Sequence, residues 1–591
     1  MEEQQKADFR ISNKDVVRML KEALAAMEIK GYNFFKIRAY QNAISILDNL
    51  TVSIYDLWEN KRLGEIPGVG EALSQHLNEL FTTGNVNEFE KLKEGLPDGM
   101  FGLLGLRGIG AKKAYKLATA FKLVDRNLAT EKIKNAAQKG MIQNLEGFGE
   151  KSEKDILESI EQAKISKNSK QRMLYPQAEE IVERIVTYMK KKDFVKEIEA
   201  AGSFRRRNAN VGDLDFPIST NEPEKTIDHF LKFPEIREVV VQGDKKATVI
   251  LTNDAQVDIR VSTPKAYGAM LQYFTGSKQH NILLRNYSLD NKMSLSEYGI
   301  KKGDELLEFS NEKDFYKQLG LPLIPPEIRH GSNEIEKATK GELPKLVELS
   351  DIKGDVHVHT VDSDGINTLE EMVETATNLG YEYLGISDHA PSIVARGYGT
   401  VLKIISDKKK IISEINKKQD KIKVLFGYEV NILTDATLGL PDEILKELDY
   451  CVASIHTSLN QDRETITRRL LTAIENKYVN IIGHPSGRLI NERDSSDPDW
   501  DKIFDAVRDN HKLLEINSQP NRLDLSDDLI KTALDWGIKL VISSDAHSAD
   551  QFGFMKYGIY NARRGWAKKT DLINTLSFGD FHMALKGDQT Q

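Results

Sequence analysis

The C-terminal half of the chain repeats one short pattern, an apolar stretch that ends on a histidine or a carboxylate. YLGISDH ends at His389, IKVLFGYE at Glu429, YCVASIH at His456 and VNIIGH at His484. Helical segments separate these stretches, so the pattern predicts parallel strand–helix units that close into a barrel. Because the carboxyl ends of all strands in such a barrel meet at one face, we expect these side chains to lie close together.

Two further segments supply the same residue types. DVHVHT places His357 and His359 on one face of an extended strand, because alternate side chains share a face, and Asp364 follows in SDG. KLVISSDAH contains Asp545 and His547. Seven of the 12 histidines lie between His357 and His547. Imidazoles and carboxylates at strand ends predict a site with several metal ions, and this mixture suits Zn²⁺, Mn²⁺ or Fe²⁺ better than Mg²⁺.

A second acidic site is predicted in GSFRRRNANVGDLD, residues 202–215. Asp213 and Asp215 would leave the same face of an extended strand, where their charges repel unless a cation lies between them. Asp258 follows on another apolar strand, in QVDIRV. Two Mg²⁺ or Mn²⁺ ions held by such carboxylates can activate an attacking hydroxyl and stabilise a leaving pyrophosphate. The three aspartates are therefore predicted as catalytic metal ligands, with Asp258 as the candidate general base.

The order of motifs around these aspartates resembles that of the family X DNA polymerases. The GS pair, the arginines that follow, the DLD strand and YFTGSKQHNILLR (Tyr273–Arg285) match the order of that family's palm and nucleotide-binding elements. The resemblance implies an α+β nucleotidyltransferase palm followed by a thumb. It also implies nucleotide-binding roles for Gly202, Ser203 and Arg206 at the triphosphate, for Tyr273, Phe274 and Gly276 at the sugar, and for Asn281 and Arg285 near the base pair and template.

The N-terminal third contains glycine-rich turns that each precede a helical segment. IPGVGEAL and LRGIGAKKAYKL share one design, and LEGFGEKSEKDIL is a looser third copy. The glycines let backbone N–H groups point outward at a helix N-terminus, where they can bind a phosphate. Three copies before a polymerase palm resemble helix-hairpin-helix elements, which bind the DNA backbone without reading sequence. The residues predicted to contact DNA are Gly68, Gly70, Gly108, Gly110 and Lys112.

One position in the first hairpin departs from family members that remove a 5′-deoxyribose phosphate. Those members carry a lysine nucleophile on the second helix of the hairpin, and the matching residue here is His76. An imidazole cannot form the Schiff base that this reaction uses. We therefore expect weak lyase activity or none, with Lys36 as the alternative amine.

The motifs of the C-terminal barrel resemble those of the PHP phosphoesterases at the C-terminus of bacterial and archaeal family X polymerases. The matching motifs are H-x-H-T with S-D-G, then S-D-H, G-H-P and S-D-A-H. The resemblance implies a distorted (β/α) barrel with three metal ions that hydrolyses a phosphodiester. Arg396 and Arg488 are candidates for binding the substrate phosphate. The implied metal ligands are His357, His359, Asp364, His389, Glu429, His456, His484, Asp545 and His547.

The composition fits a soluble multidomain enzyme. No apolar run is long enough to span a membrane, no secretion signal is present, and the single cysteine indicates a reducing cytoplasm. The net charge of −8 excludes binding to nucleic acid through overall charge, so contacts with DNA must be local. The expected units are a helical DNA-binding domain with the first hairpin (1–85), a helical fingers-like domain with the other two (86–170), the palm (171–262), the thumb (263–325), a linker (326–349) and the PHP domain (350–575).

Together these features predict a monomeric DNA repair enzyme with two active sites. The palm would fill short gaps in gapped or primed DNA with dNTPs during base excision repair. The barrel would act as a 3′→5′ exonuclease, with 3′-phosphatase or abasic-site cleavage as further activities. Two alternatives stay open: a template-independent nucleotidyltransferase that extends 3′ ends, and a DNA-binding PHP phosphatase with an inert palm.

Overall fold

The computed structural model describes residues 11, 13–48, 54–59, 61–66, 68–104, 106, 109–150, 152–157, 159–160 and 172–585. These residues form a helical N-terminal region, a mixed five-stranded sheet, a three-stranded sheet and a seven-stranded parallel sheet, with one additional strand pair. Within these ranges, no helix combines the length and apolar character that a membrane span requires.

The N-terminal region is built from amphipathic helices, as their apolar spacing predicts. Two apolar clusters hold them together, one centred on Leu20, Leu47 and Phe81 and the other on Leu103 and Leu117. Residues 152–157 and 159–160 are also helical. The remaining helices are α1 (Asn13–Ile29), α2 (Phe34–Asp48), α3 (Ile54–Glu59), α4 (Glu71–Thr83), α5 (Asn87–Lys93), α6 (Ala111–Ala120) and α7 (Arg126–Gln138).

The palm is a mixed sheet with helices packed on it. Its elements are β1 (Met173–Leu174), α8 (Tyr175–Met189), β2 (Val195–Ile198), α9 (Gly202–Arg205), β3 (Asn210–Val211), β4 (Leu214–Thr220), α10 (Pro223–Phe230), β5 (Ile236–Gly243), β6 (Lys246–Leu251) and β7 (Gln256–Ser262). The strand order is β2–β4–β7–β6–β5, and β4 and β7 run parallel to each other. This pair brings two of the predicted catalytic aspartates together.

The thumb follows the palm and ends later than its sequence predicts. Its elements are α11 (Tyr267–Thr275), α12 (Lys278–Asp290), β8 (Met293–Ser296), β9 (Gly299–Lys302), β10 (Glu305–Leu307), α13 (Glu312–Gln318) and α14 (Glu334–Thr339). The predicted linker over 326–349 is instead packed into the thumb core through Ile328, Ile335 and Leu346. Its charged residues look solvated in the sequence, but Arg329 is buried against Glu312 at 2.7 Å.

The seven parallel strands of the C-terminal domain follow one another in chain order. The elements are β11 (Gly354–Asp355), α15 (Leu369–Asn378), β12 (Tyr383–Ile386), α16 (Ile393–Arg396), α17 (Tyr398–Lys418), β13 (Lys423–Asn431), α18 (Asp442–Leu445), β14 (Tyr450–Ser454), α19 (Arg463–Glu475), β15 (Ile481–Ile482), α20 (Trp500–Asp509), β16 (Leu513–Asn517), α21 (Asp527–Asp535), β17 (Leu540–Ser543), α22 (Met555–Arg564) and α23 (Phe578–Leu585). A parallel bridge between Val358 and Ala546 joins the first and last strand regions, so the sheet forms the predicted barrel, nearly closed.

The barrel sheet packs against its own C-terminal helix and against the palm. Phe581 and Leu585 of α23 join the apolar cluster formed by the strands, so the ordered domain continues past residue 575. Beside the sheet, Leu523 and Tyr557 of the barrel belong to the apolar cluster of the palm. The barrel and the polymerase region therefore share one packed boundary.

Candidate active sites

The predicted ligands of the barrel converge at the carboxyl ends of its strands. In the described part of the chain, their ligand atoms form three overlapping groups whose members lie within 4.8 Å of one another: His359, Asp364, His389 and His547; His357, His359 and Glu429; and His389, Glu429 and His456. His484 joins through Nε2, 2.9 Å from Glu429 Oε1. Asp545 joins through Oδ1, 3.2 Å from His359 Nε2. All nine predicted positions are thus brought to one site.

Buried imidazole nitrogens at this site lack hydrogen-bond partners. They are Nε2 of His357, both ring nitrogens of His359 and Nδ1 of His484. Nε2 of His357 faces carboxylate oxygens of Glu429 at 3.5 Å and Asp545 at 3.6 Å. Buried polar atoms are rarely left unpaired, so nitrogens that face carboxylates across such gaps fit a site for metal ions. Imidazole and carboxylate donors in this mixture are typical ligands of transition-metal ions.

The charges of the site are strongly coupled. Burial lowers the pKa of the His359 imidazole, but contacts with Asp364 and Asp545 outweigh this and raise it to about 9. Burial raises the pKa of Glu429, but the surrounding imidazoles hold it well below its ordinary value. Imidazoles must be deprotonated to bind a metal ion, so metal binding at this site would release protons.

Three supporting residues of the site were not predicted from the sequence. Glu515 Oε1 lies 2.7 Å from His357 Nδ1, and its Oε2 accepts a hydrogen bond from the backbone N–H of His484 at 2.6 Å. Asn431 contacts His456 Nδ1, and Asn517 donates to Asp545. The signal was present in the sequence: LLEIN and YEVN end apolar strands at the same barrel face.

The arginines near the barrel site differ in their surroundings. Arg488 Nε donates to the carbonyl oxygen of Arg522 at 2.6 Å and its Nη2 donates to that of Leu523, so this guanidinium supports the loop. Arg396 is exposed at the end of α16. Arg522 Nε lies 4.0 Å from Asp545 Oδ2 and is the better candidate for a phosphate contact.

In the palm, the three predicted aspartates are half-buried around one strand pair. Asp215 in β4 is directly opposite Asp258 in β7. Asp213 lies just before β4 and not within it, so strand alternation does not relate it to Asp215; Asp215 and Asp258 meet through the pairing of β4 with β7. Gln256 Nε2 donates to Asp258 Oδ2 at 2.6 Å, which fixes the orientation of that carboxylate.

The nucleotide-binding turn lies beside Asp215. Gly202 has φ +57°, and a Cβ atom there would lie 2.8 Å from Asp215 Oδ2, so only glycine fits. Ser203 follows in α9. Arg206 Nη1 donates to the carbonyl oxygen of Thr275 at 2.5 Å, next to Gly276, so the predicted triphosphate and sugar elements adjoin each other.

The remaining nucleotide-binding candidates lie on α11 and α12. The rings of Tyr273 and Phe274 meet edge to face with centroids 5.3 Å apart, and Arg260 covers the second ring at 5.1 Å. Asn281 Nδ2 donates to the carbonyl oxygen of Tyr273 at 2.8 Å, so this side chain orders the helix end. Arg285 is exposed on α12.

The glycine-rich turns share one backbone geometry. The N–H of Val69 donates to Ile66 O at 3.1 Å and that of Ile109 to Leu106 O at 3.1 Å. In the third copy, the N–H of Phe148 donates to Leu145 O at 2.9 Å. Gly70 and Gly110 cap the following helices, and a Cβ atom at either would meet no atom within 4 Å. Lys112 is exposed, Gly68 has φ +74°, and Gly108 lies outside the described residues.

His76 is held by neighbouring side chains in the first hairpin. Its Nδ1 lies 3.1 Å from the Tyr40 hydroxyl and its Nε2 lies 2.9 Å from Glu88 Oε2. Lys36 Nζ contacts the other oxygen of Glu88 at 3.1 Å. The candidate amine therefore lies near His76, and it is engaged by Glu88.

The fold and its two carboxylate sites define a fusion of a metal-dependent phosphoesterase barrel with a nucleotidyltransferase. Family models match residues 270–330 (DNA polymerase beta thumb), 355–519 (PHP domain), 11–86 (helix-hairpin-helix domain) and 102–162 (SAM-like helix-hairpin-helix tandem). The chain is 35% identical over 579 residues to the DNA polymerase/3′-5′ exonuclease PolX of Bacillus subtilis (strain 168), covering 97% of this chain and 99% of that protein. It therefore belongs to the family X DNA polymerases that carry a PHP domain.

Other relatives match about a third of this chain. A probable phosphatase of Thermoanaerobacter sp. (strain X514) is 30% identical over 235 residues, which cover 37% of this chain and 89% of that protein. A probable phosphatase of Clostridium acetobutylicum is 26% identical over 213 residues, covering 34% of this chain and 80% of that protein.

Proposed function

We propose that this chain is a gap-filling DNA polymerase with a 3′→5′ exonuclease in the same polypeptide. The observation that carries the proposal is that one chain holds two acidic clusters, the Asp215–Asp258 pair in the palm and the nine predicted ligands in the barrel. Similarity over nearly the whole length to a DNA polymerase/3′-5′ exonuclease supports both activities.

In the palm, the chain's own residues bind and orient the nucleotide and the primer end. Two Mg²⁺ or Mn²⁺ ions, when bound to Asp213, Asp215 and Asp258, would polarise the primer 3′-hydroxyl and the leaving pyrophosphate. The carboxylate of Asp258 accepts the proton of the 3′-hydroxyl. Arg206 and the turn at Gly202–Ser203 hold the triphosphate, since guanidinium groups and backbone N–H groups bind phosphate oxygens.

In the barrel, the nine predicted ligands would surround the phosphodiester, which binds at the solvent-exposed side of their cluster. Zn²⁺, Mn²⁺ or Fe²⁺ ions would supply Lewis-acid activation of water and of the phosphate. Glu515 accepts the Nδ1 proton of His357 and so directs the Nε2 lone pair into the site. His359 is fully buried, whereas the side chain of Asp364 is 50% exposed, so the substrate enters on the side of Asp364.

The proposed setting is short-gap base excision repair. Its partners would be gapped or primed DNA and dNTPs, and the chain would act as a monomer in the cytoplasm. The hairpin turns at Gly70 and Gly110 support this proposal because their backbone is open to a phosphate. Weak lyase activity or none is expected, since Lys36 is paired with Glu88.

The test is extension and degradation of a labelled primer on one-nucleotide-gapped DNA, with Mg²⁺ or Mn²⁺, in the presence and absence of dNTPs. Gap filling with dNTPs and 3′ shortening without them are the expected results. Shortening alone would mean that the palm is inert. Equal extension of a single-stranded primer would identify a template-independent transferase instead.

A further inference from the structure

One helix of the phosphoesterase barrel, α22, packs against the polymerase palm. At its N-terminal end, Lys556 Nζ forms an ion pair with Glu179 Oε2 at 2.7 Å. In its middle, the ring of Tyr560 lies 5.5 Å from that of Tyr175. At its C-terminal end, Arg564 reaches the nucleotide-binding turn. The helix therefore contacts the palm along its whole length.

The guanidinium of Arg564 joins the barrel to this turn. Its Nη1 donates to the carbonyl oxygen of Arg206 at 2.8 Å and to Asn208 Oδ1 at 3.0 Å. Its Nη2 donates to Asp527 Oδ2 on barrel helix α21 at 2.6 Å. The side chain is only 11% exposed. Charge-assisted bonds in so enclosed a place are strong and directional, and the ion pair orients the planar group toward its acceptors in the turn.

The turn has a backbone conformation that needs support. Arg207 follows Arg206 with φ +57°, a region that a residue with a side chain adopts at a cost. Its guanidinium is stacked 4.1 Å from the ring of Tyr560 in the same barrel helix. The carbonyl group of Arg206 and the side chain of Arg207 are thus both held by α22.

The surroundings of Arg206 are electropositive. Burial and the positive charges of Arg564, Arg329 and Arg172 lower the pKa of Arg206 to about 10. These neighbours come from the barrel, from the thumb and from the start of the palm. A guanidinium among like charges is stabilised when an anion binds, and a triphosphate carries the required negative charge.

We propose that Arg564 is a positioning residue for the polymerase reaction, and that the phosphoesterase barrel thereby sets the affinity of the palm for the incoming nucleotide. This inference rests on the proposed polymerase function. Arg564 acts through Arg206 and leaves the metal-binding aspartates unchanged. Its removal therefore weakens nucleotide binding more than it slows the chemical step.

The test compares the wild-type chain with Arg564→Ala, Arg564→Lys and the control Lys556→Ala. Lys556 lies on the same helix and the same boundary, but its ion pair is with Glu179 of α8 and not with the turn. The readouts are kcat and KM for the dNTP in single-nucleotide gap filling, and the exonuclease rate on the same full-length proteins.

Arg564→Ala is expected to raise KM about tenfold or more, as loss of charge-assisted hydrogen bonds implies, with kcat within about twofold. Arg564→Lys keeps the charge but not the planar fork, so an intermediate KM is expected. Lys556→Ala should keep the wild-type KM, and all variants should keep the exonuclease rate.

Three results would overturn the inference: an unchanged KM in Arg564→Ala, an equal rise in Lys556→Ala, or full rescue by lysine. A parallel loss of exonuclease activity in Arg564→Ala would show damage to the barrel. The KM of Arg564→Lys then decides, and a normal KM in that variant would refute the positioning role. Failure of the proposed polymerase function would give other results. The wild-type chain would then fill no gap, or Asp258→Ala would fill the gap as well as the wild type does.

Discussion

The barrel site and the palm site draw their ligands from the chain in different ways. The barrel brings nine predicted ligands together within one domain, and most are buried with carboxylates and imidazoles facing each other. The palm takes two of its three predicted carboxylates from one parallel strand pair, and its nucleotide turn contacts Thr275 of the thumb and Arg564 of the barrel. The barrel site is therefore complete within its own domain, whereas the palm site depends on three domains.

The largest expected effect comes from removing a shared barrel ligand. His359→Ala removes an imidazole that belongs to two of the three ligand groups, so exonuclease activity should fall by about 10³-fold or more. Gap filling should continue because the palm has its own carboxylates. The measurement is primer degradation and gap filling on the same preparation. Loss of both activities in a folded protein would refute the division between the sites.

The reciprocal change is Asp258→Ala in the palm. Loss of a metal ligand that also accepts a proton should reduce gap filling by about 10²- to 10⁴-fold. The exonuclease rate should stay at the wild-type level, and His359→Ala serves as the matched control. If Asp258→Ala degraded primers much more slowly, the two sites could not be independent.

A third comparison concerns the charges that hold the palm to the thumb. Burial raises the pKa of Glu312, but Arg329 and Arg205 outweigh this and lower it to about 2. A depressed carboxyl pKa contributes stability above its unfolded value near 4.5, and this is lost as the pH falls toward 2. Glu312→Gln should thus reduce the free energy of unfolding at pH 7 by about 3 kcal/mol.

The measurement is denaturant unfolding of wild type and Glu312→Gln between pH 7 and pH 3. The difference between them should shrink as the pH falls below about 4.5. Glu336→Gln is the control, because Glu336 forms an exposed helical pair with Lys340. A difference that stayed constant across this range would show that the Glu312 charge does not stabilise the thumb.

A smaller effect is expected from changing Glu515, which contacts a predicted barrel ligand. Glu515→Gln weakens the contact with His357 Nδ1, so the affinity for metal should fall about 10- to 100-fold. Titration of exonuclease activity with Mn²⁺ measures this, and excess metal should restore the rate. Glu443→Gln, at the surface of α18, is the control. A loss that excess metal did not restore would make Glu515 a participant in the reaction.

The smallest effect is expected at the DNA-binding hairpins. Lys112→Ala should weaken binding to gapped DNA a few-fold, equally for all sequences, and reduce the slope of log affinity against log salt by about 1. Fluorescence anisotropy at several salt concentrations measures both quantities. Lys132→Ala on α7 is the control. A sequence-dependent change would mean that the hairpin reads bases.

The sequence could indicate most of the residues that meet at the barrel site, because they are polar residues at the ends of apolar strands; their roles as metal ligands stay predictions. It missed Glu515, Asn431 and Asn517, which also lie in apolar strands, because they contact the predicted ligands and local sequence does not show such contacts. It predicted a linker where Arg329 and Glu334 are buried, because local composition does not show that a charge has a partner.

The amino-acid order by itself determined the kinds of domain, the position of each acidic motif and the family. These features depend on residue type and short spacing, which carry the periodicity of strands and helices. Tertiary structure alone decided that Asp215 faces Asp258, that a bridge joins Val358 and Ala546 in the barrel, and that Arg564 reaches Arg206 from 358 positions away. The reason is physical: partners so distant in the chain are selected by packing of whole domains, and no local pattern records that choice.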